Sequence, residues 1–238
     1  MKQLFTSLFI SIALLSVNAQ ELTNPLTKGT APSFTAESTM GKINFPDDYY
    51  GKWKIIFSHP SDFTPVCTSE IIELAFSQED FKKLNTALVV VSTDGLNSHI
   101  EWVKSIESID YNGLGKVKLN FPIVSDFKLE ISKKYGILNS DSSNRKDIRS
   151  VFFIDTDDQI RAMFYYPENV GRNIDEIKRT LTALQTTDKY EVLTPANWKP
   201  GNEVLINSPS SIAEAEKLEE KKPKNLRKVA WYMWFRTI

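Results

Sequence analysis

Apolar residues follow two rhythms along this chain. Trp53-Lys54-Ile55-Ile56-Phe57-Ser58 is mostly apolar and too short for a globular helix, so it predicts a strand. The strand should stop at His59-Pro60, because proline has no backbone donor. Ala87 to Ser92 is a continuous run rich in β-branched residues, the pattern of a buried central strand. Pro32 to Ser38, Lys42 to Phe45 and Pro122 to Val124 read as shorter strands. Ser150 to Asp155 and Ile160 to Tyr166 flank the turn Thr156-Asp157-Asp158-Gln159 and predict a hairpin.

Helical spacing fills the gaps. From Thr64 to about Phe76 apolar residues recur at three and four, and Phe81 to Leu84 reads as a second helical stretch. Ser98 to Ile109 carries Ile100, Val103, Ile106 and Ile109 on one face, with Ser98 as the expected N-cap. Phe127 to Tyr135 is a short helix closed by Gly136. Asp175 to Leu184 turns Ile174, Ile177, Leu181 and Leu184 inward. Strands and helices that alternate, then close with a hairpin and a helix, predict an α/β fold with a central mixed sheet flanked by helices.

Both ends differ in texture. Lys2, the apolar run Leu4 to Val17 and the small residues of Val17-Asn18-Ala19 form the pattern of a secretory signal peptide over residues 1–19. The expectation is an exported protein, periplasmic or secreted, with no membrane span in the mature chain. Residues 22–187 form the expected main domain, and 188–238 a separate C-terminal region. That region has Pro195, Pro200 and Pro209, a charged surface helix over Ser211 to Lys222, and a tail holding Trp231, Tyr232, Trp234 and Phe235. A tail this small cannot fold alone, so it should pack on the main domain or on a partner chain.

Charge is nearly balanced over the 238 residues, with a net value of −1. Nothing there calls for nucleic acid or an anionic membrane as partner. The chain has one cysteine, Cys67, and two histidines, His59 and His99. One cysteine cannot form an internal disulfide, and no cluster has the spacing of a metal site, so neither metal nor cofactor is expected. A lone thiol in an oxidising compartment is a liability unless it is buried or employed.

Cys67 falls in the first turn of a predicted helix, after a strand and a loop stiffened by Pro60 and Pro65. Unpaired N–H groups and the helix dipole stabilise negative charge there. Such settings lower a thiol pKa from about 8.5 to roughly 3.5–7.5, which makes the reactive thiolate available. Thr64, three residues earlier, can turn its hydroxyl toward the sulfur.

His59-Pro60-Ser61-Asp62-Phe63-Thr64-Pro65-Val66-Cys67-Thr68-Ser69-Glu70 resembles the peroxidatic loop of the peroxiredoxins, whose P-x-x-x-T-x-x-C pattern is met at Pro60, Thr64 and Cys67. The resemblance is greatest to the one-Cys, peroxiredoxin-six type. Further stretches carry it: Asp94 to Trp102, the Arg149 strand, Tyr166-Pro167 with Gly171-Arg172-Asn173, and Thr194 to Trp198. It implies a thioredoxin-like fold and a C-terminal region that helps form a homodimer. It implies that Cys67 attacks a hydroperoxide, that Thr64 and Arg149 activate thiol and peroxide, and that Pro60 shapes the pocket. Glu70 and Arg172 match positions that orient the arginine side of the site; the alternative for both is an ordinary surface ion pair. His59, next to the loop, is a further supporting candidate, with a structural role as its alternative. His99 reads as a helix-surface residue.

Two departures from the family matter. With no second cysteine, a sulfenic acid at Cys67 must be met by an external small thiol, by a redoxin or by Cys67 of another chain. Some one-Cys members also carry a phospholipase elbow, but Lys52 occupies its serine position and Pro46 stands where its histidine is expected. The expected activity is therefore reduction of hydrogen peroxide and organic hydroperoxides. The competing class is a non-catalytic thioredoxin-fold holdase or scaffold, with Cys67 as packing.

Overall fold

Ten strands and five α-helices appear in the computed structural model, which describes residues 29–139, 145–221 and 225–238. The expected leader, residues 1–19, lies outside the described residues. The main sheet contains β1 (Phe34–Ser38), β2 (Gly41–Phe45), β3 (Trp53–Ser58), β4 (Thr86–Ser92), β5 (Ile123–Ser125), β6 (Arg149–Ile154) and β7 (Ile160–Tyr166). Its order is β2-β1-β5-β4-β3-β6-β7. The centre is parallel, β3 against β4 and β4 against β5. The flanks are antiparallel, with β6 pairing both β3 and β7 and β1 pairing both β2 and β5. The mixed sheet is the one the alternation predicts.

The helices are α1 (Pro65–Lys83), α2 (Leu96–Ser108), α3 (Glu130–Tyr135), α4 (Ile174–Tyr190) and α5 (Ile212–Lys221). Successive strand residues point to opposite faces, so the sheet builds two cores. Ile55, Phe57, Val90, Val151 and Phe153 join apolar residues of α1, α2 and α4. Ile56, Val89, Val91, Phe152 and Ile154 join Ile131 and Tyr135 of α3. Every residue of β3 is buried, as a central strand covered on both faces requires. Each large apolar side chain so buried contributes about 1.5–3 kcal/mol by area transfer.

Three local expectations are corrected. The two helical stretches after Thr64 form one helix, α1, because no residue between Phe76 and Phe81 breaks its hydrogen bonding. α2 begins two residues before Ser98 and has Gly95 as its N-cap residue. Its buried seam is His99, Trp102 and Ile106; Val103 and Ile109 only flank the core. His99 is thus an interior residue and not a surface one.

Residues beyond α4 form a second sheet, β8 (Val204–Leu205), β10 (Met233–Arg236) and β9 (Leu226–Ala230), in that order. Trp198 is buried with Ala183, Val192 and Val204. The aromatic tail folds back as the β9–β10 hairpin and buries Trp234, while Trp231 and Tyr232 stay exposed. α5 buries no residue, as its charge pattern predicts.

Candidate active site

The site lies where β3 ends and α1 begins. The His59 N–H still donates to the Val91 carbonyl at 3.1 Å, so strand pairing persists to that residue. Pro60 lacks a donor and the chain leaves the sheet. Pro65 occupies the first turn of α1, where a missing N–H costs nothing. Thr64 precedes it in an extended conformation, φ −103° and ψ 146°. Cys67 is the third residue of α1, and its side chain has no solvent exposure. The first-turn position expected for the thiol is the one observed.

Arg149, the first residue of β6, reaches the sulfur. Its Nη1 lies 3.2 Å from Cys67 Sγ and also donates to Glu70 Oε2 at 2.7 Å. Its Nε donates to the Glu168 carbonyl at 2.8 Å. These anchors fix the guanidinium plane, and no hydrogen bond within the described residues engages Nη2. A fixed positive charge beside the sulfur stabilises a thiolate, and a spare donor in the same plane can meet a second anionic or polar atom.

Glu70 sits one turn after Cys67 on the same face of α1. It accepts from Arg149 and from Arg172, whose Nε and Nη2 reach its two oxygens at 2.9 and 2.7 Å. The Arg172 backbone N–H adds a bond of 2.7 Å to Oε1. Arg172 Nη1 caps the ends of β3 and β6 by donating to the Ser58 and Ser150 carbonyls at 2.7 and 2.8 Å. Its guanidinium carbon lies 3.3 Å from the centre of the Phe57 ring. Burial draws the Arg172 guanidinium below its usual value, and Glu70 opposes that shift. Both residues are buried, so the surface ion pair held open as their alternative is excluded. Breaking such a pair leaves an uncompensated interior charge.

Thr64 departs from the expected orientation in one respect. Its hydroxyl donates to the Ser61 carbonyl at 3.0 Å and closes a tight turn over Ser61 to Thr64. A hydroxyl has one proton, so the Thr64 oxygen remains available as an acceptor. Pro60, which precedes this turn, is buried. His59 is fully buried, and neither ring nitrogen has a full hydrogen bond among the described residues, Asp62 Oδ1 lying 3.7 Å from Nε2. Burial pushes its pKa well below the ordinary histidine range, and the neighbouring His99 and Arg172 push the same way. His59 is therefore neutral.

Asp62 and His99 are the residues that sequence reasoning missed. Asp62 Oδ2 lies 2.8 Å from His99 Nδ1, and the Asp62 backbone N–H donates to Asp94 Oδ2 at 2.6 Å. The spacing of His99, Trp102 and Ile106 at three and four was the available signal for an inward-facing histidine.

The comparisons with known proteins agree with this geometry. Residues 27–163 match the AhpC/TSA family, and residues 183–222 match the C-terminal domain of 1-Cys peroxiredoxin. The chain belongs to the AhpC/TSA family of peroxiredoxins. A peroxiredoxin of Methanosarcina mazei is 46% identical over 210 residues, 88% of this chain and 96% of that protein. A peroxiredoxin of Aquifex aeolicus is 41% identical over 197 residues, 79% of this chain and 86% of that protein. The structure of the yeast mitochondrial 1-Cys peroxiredoxin matches with a TM-score of 0.78 and 36% identity, over 90% of this chain and 99% of that one. A mutant of peroxiredoxin 6 of Arenicola marina matches with a TM-score of 0.78 and 31% identity, over 90% and 98%.

As a peroxiredoxin the chain is a thiol peroxidase, and it has the thioredoxin-like fold of its structural neighbours. The single cysteine and the C-terminal domain match place this peroxiredoxin in the one-Cys group. No helix of the described residues is long and apolar enough to cross a membrane.

Proposed function

We propose that this peroxiredoxin reduces hydrogen peroxide and organic hydroperoxides at Cys67, with an external thiol as reductant. The observation that carries the proposal is the 3.2 Å approach of Arg149 Nη1 to the Cys67 sulfur. The thiolate attacks one peroxide oxygen; an S–O bond forms and the O–O bond breaks. Sulfur is oxidised to the sulfenic acid, and the departing oxygen leaves as ROH after taking a proton. Arg149 holds the thiolate and presents its unengaged Nη2 to the peroxide. Thr64, its own proton committed to Ser61, accepts the peroxide O–H and aims the reacting oxygen at sulfur. Pro60 keeps the turn packed against the sheet. Glu70 and Arg172 hold Arg149 in plane, and neutral His59 forms part of the enclosing wall.

A first external thiol then displaces water from the sulfenic acid to give a mixed disulfide. A second thiol releases Cys67 and leaves as the disulfide. The unique cysteine supports this route, as does the yeast neighbour, described as resolved through glutathione/thioredoxin systems. Export by residues 1–19 and a homodimer built with the C-terminal region belong to the same reading, supported by the leader pattern and by the exposed Trp231 and Tyr232.

The test is peroxide consumption by mature protein supplied with a dithiol, compared with Cys67→Ser. Turnover should vanish in the variant; equal rates would remove Cys67 from the mechanism. Replacing the dithiol by glutathione or by a reduced thioredoxin distinguishes the two reductant classes.

A further inference from the structure

The stretch from Phe63 to Cys67 is gripped by one face of α2. His99 and Trp102, three residues apart, share that face. His99 Nδ1 meets the Asp62 carboxylate just before the stretch, and Trp102 Nε1 donates to Thr68 Oγ1 at 3.2 Å just after it. The His59 ring packs against Trp102 at 4.8 Å between centres, closing the space between the two grips.

The turn so held is not a relaxed one. Phe63 has φ 53°, a left-handed conformation that is strained for a non-glycine residue and persists where neighbours over-determine it. Asp62, the residue before it, is fixed by its side chain to His99 and by its backbone to Asp94. Thr64, the residue after it, depends on the closed turn for its bond to Ser61.

Stability alone does not favour this arrangement. Asp62 Oδ1, His99 Nε2 and both His59 nitrogens are buried with no hydrogen-bond partner among the described residues, Asp62 Oδ1 lying 3.7 Å from His59 Nε2. Such groups are costly, and replacing both partners, Asp62 and His99, by apolar groups of the same shape would remove that cost, whereas replacing one strands the other. What the polar pair supplies is direction. The carboxylate only accepts, so the His99 donor sits at Nδ1, and the bond sets where Asp62 holds the turn.

We propose that His99 is a positioning residue for peroxide reduction, acting through Asp62 to hold the Ser61–Thr64 turn so that the Thr64 oxygen faces the Cys67 sulfur. The inference rests on the peroxidatic role proposed for Cys67.

Two amides test it. Asn has its side-chain nitrogen the same number of bonds from Cα as His Nδ1, whereas Gln matches Nε2. His99→Asn should keep the donor that meets Asp62; His99→Gln should lose it. Peroxide reduction by Cys67 is timed alongside its alkylation by iodoacetamide, a reaction that needs the sulfur but not Thr64. His99→Gln should lose on the order of ten- to a hundredfold in the peroxide rate constant, with alkylation and His99→Asn both within about threefold of the parent. If the Gln chain does not fold by circular dichroism, His99→Leu takes its place with the same expectation. Parental peroxide rates in the Gln variant, equal losses in Asn and Gln, or equal losses in peroxide and alkylation would each overturn the proposal. A Cys67→Ser control separates this from failure of the underlying reading: turnover without the thiol would discard Cys67 whatever position 99 does.

Discussion

Arg172 and Glu70 meet face to face, Nε on Oε1 at 2.9 Å and Nη2 on Oε2 at 2.7 Å, with both side chains buried. A fork on a carboxylate fixes orientation as well as charge. Because Glu70 also accepts from Arg149, the pair reaches the thiol through one carboxylate. Glu70→Gln should therefore act twice. Stability should fall by about 3–5 kcal/mol, the cost of stranding a buried charge, read as a lower urea midpoint. Peroxidase activity of the remaining folded fraction should fall as well, because Arg149 loses an anchor. An unchanged midpoint would show that the pair is not the buried network described.

Arg149→Lys keeps the charge and discards the fork. A lysine cannot hold the Glu168 carbonyl, Glu70 and the sulfur together while presenting a further donor. The rate constant for peroxide should drop on the order of a hundredfold or more, as for loss of a preorganised transition-state donor. Stopped-flow measurement of Cys67 oxidation checks it, with parental speed as the contrary result.

His59 links stability to acid. Its folded pKa is depressed by burial, with His99 and Arg172 adding to the shift. The unfolded chain therefore binds a proton that the folded chain refuses once pH drops below about 6.5. The stability His59 contributes is present above that pH and is lost as pH falls toward the folded value. His59→Phe should flatten the acid limb between roughly pH 6.5 and 5 in urea unfolding. An acid limb of the same slope in both proteins would count against the neutral, buried assignment.

Asp147 has the opposite sign. Burial pushes its carboxyl well above the usual range; Asp126 and Asp94 add to the shift and Ser132 opposes it in part. Neither Asp147 oxygen has a full hydrogen bond among the described residues. The folded chain keeps a proton that the unfolded chain releases above about pH 4, so this contribution is present at low pH and declines as pH rises. Asp147→Asn should remove that decline and leave the protein at least as stable at pH 7. Thermal midpoints at pH 4 and pH 7 provide the measurement; a variant less stable at pH 7 would reverse the sign.

Trp231 and Tyr232 are 56% and 53% exposed in the C-terminal hairpin, stacked edge to face. If this face lies in the proposed homodimer, Trp231→Glu with Tyr232→Glu should shift sedimentation toward monomer without changing the circular dichroism spectrum. A parent that already sediments as a monomer at low micromolar concentration would refute the dimer.

The layout was legible in the chain before any contact was known, because local patterns are written in neighbouring letters. The apolar run of β3, the β-branched run of β4 and the hairpin of β6 and β7 are short-range facts, and so is the place of Cys67 in the first turn of α1. The family motif carried Thr64, Arg149, Glu70 and Arg172 as candidates, though 79 residues separate Glu70 from Arg149 in the chain. Which of them touch depends on how distant segments pack. Burial turned Glu70 and Arg172 from a surface pair into an interior network, because β6 and the chain before α4 converge on one carboxylate while Arg172 also reaches the end of β3. It also took His99 out of solvent. A helix has one inward stripe, and which of two adjacent stripes faces in is set by what the helix docks against. Four apolar residues favoured the stripe of Ile100 and Val103, but the stripe that faces in buries Trp102 and Ile106 with His99, whose partner, Asp62, lies 37 positions away in the chain.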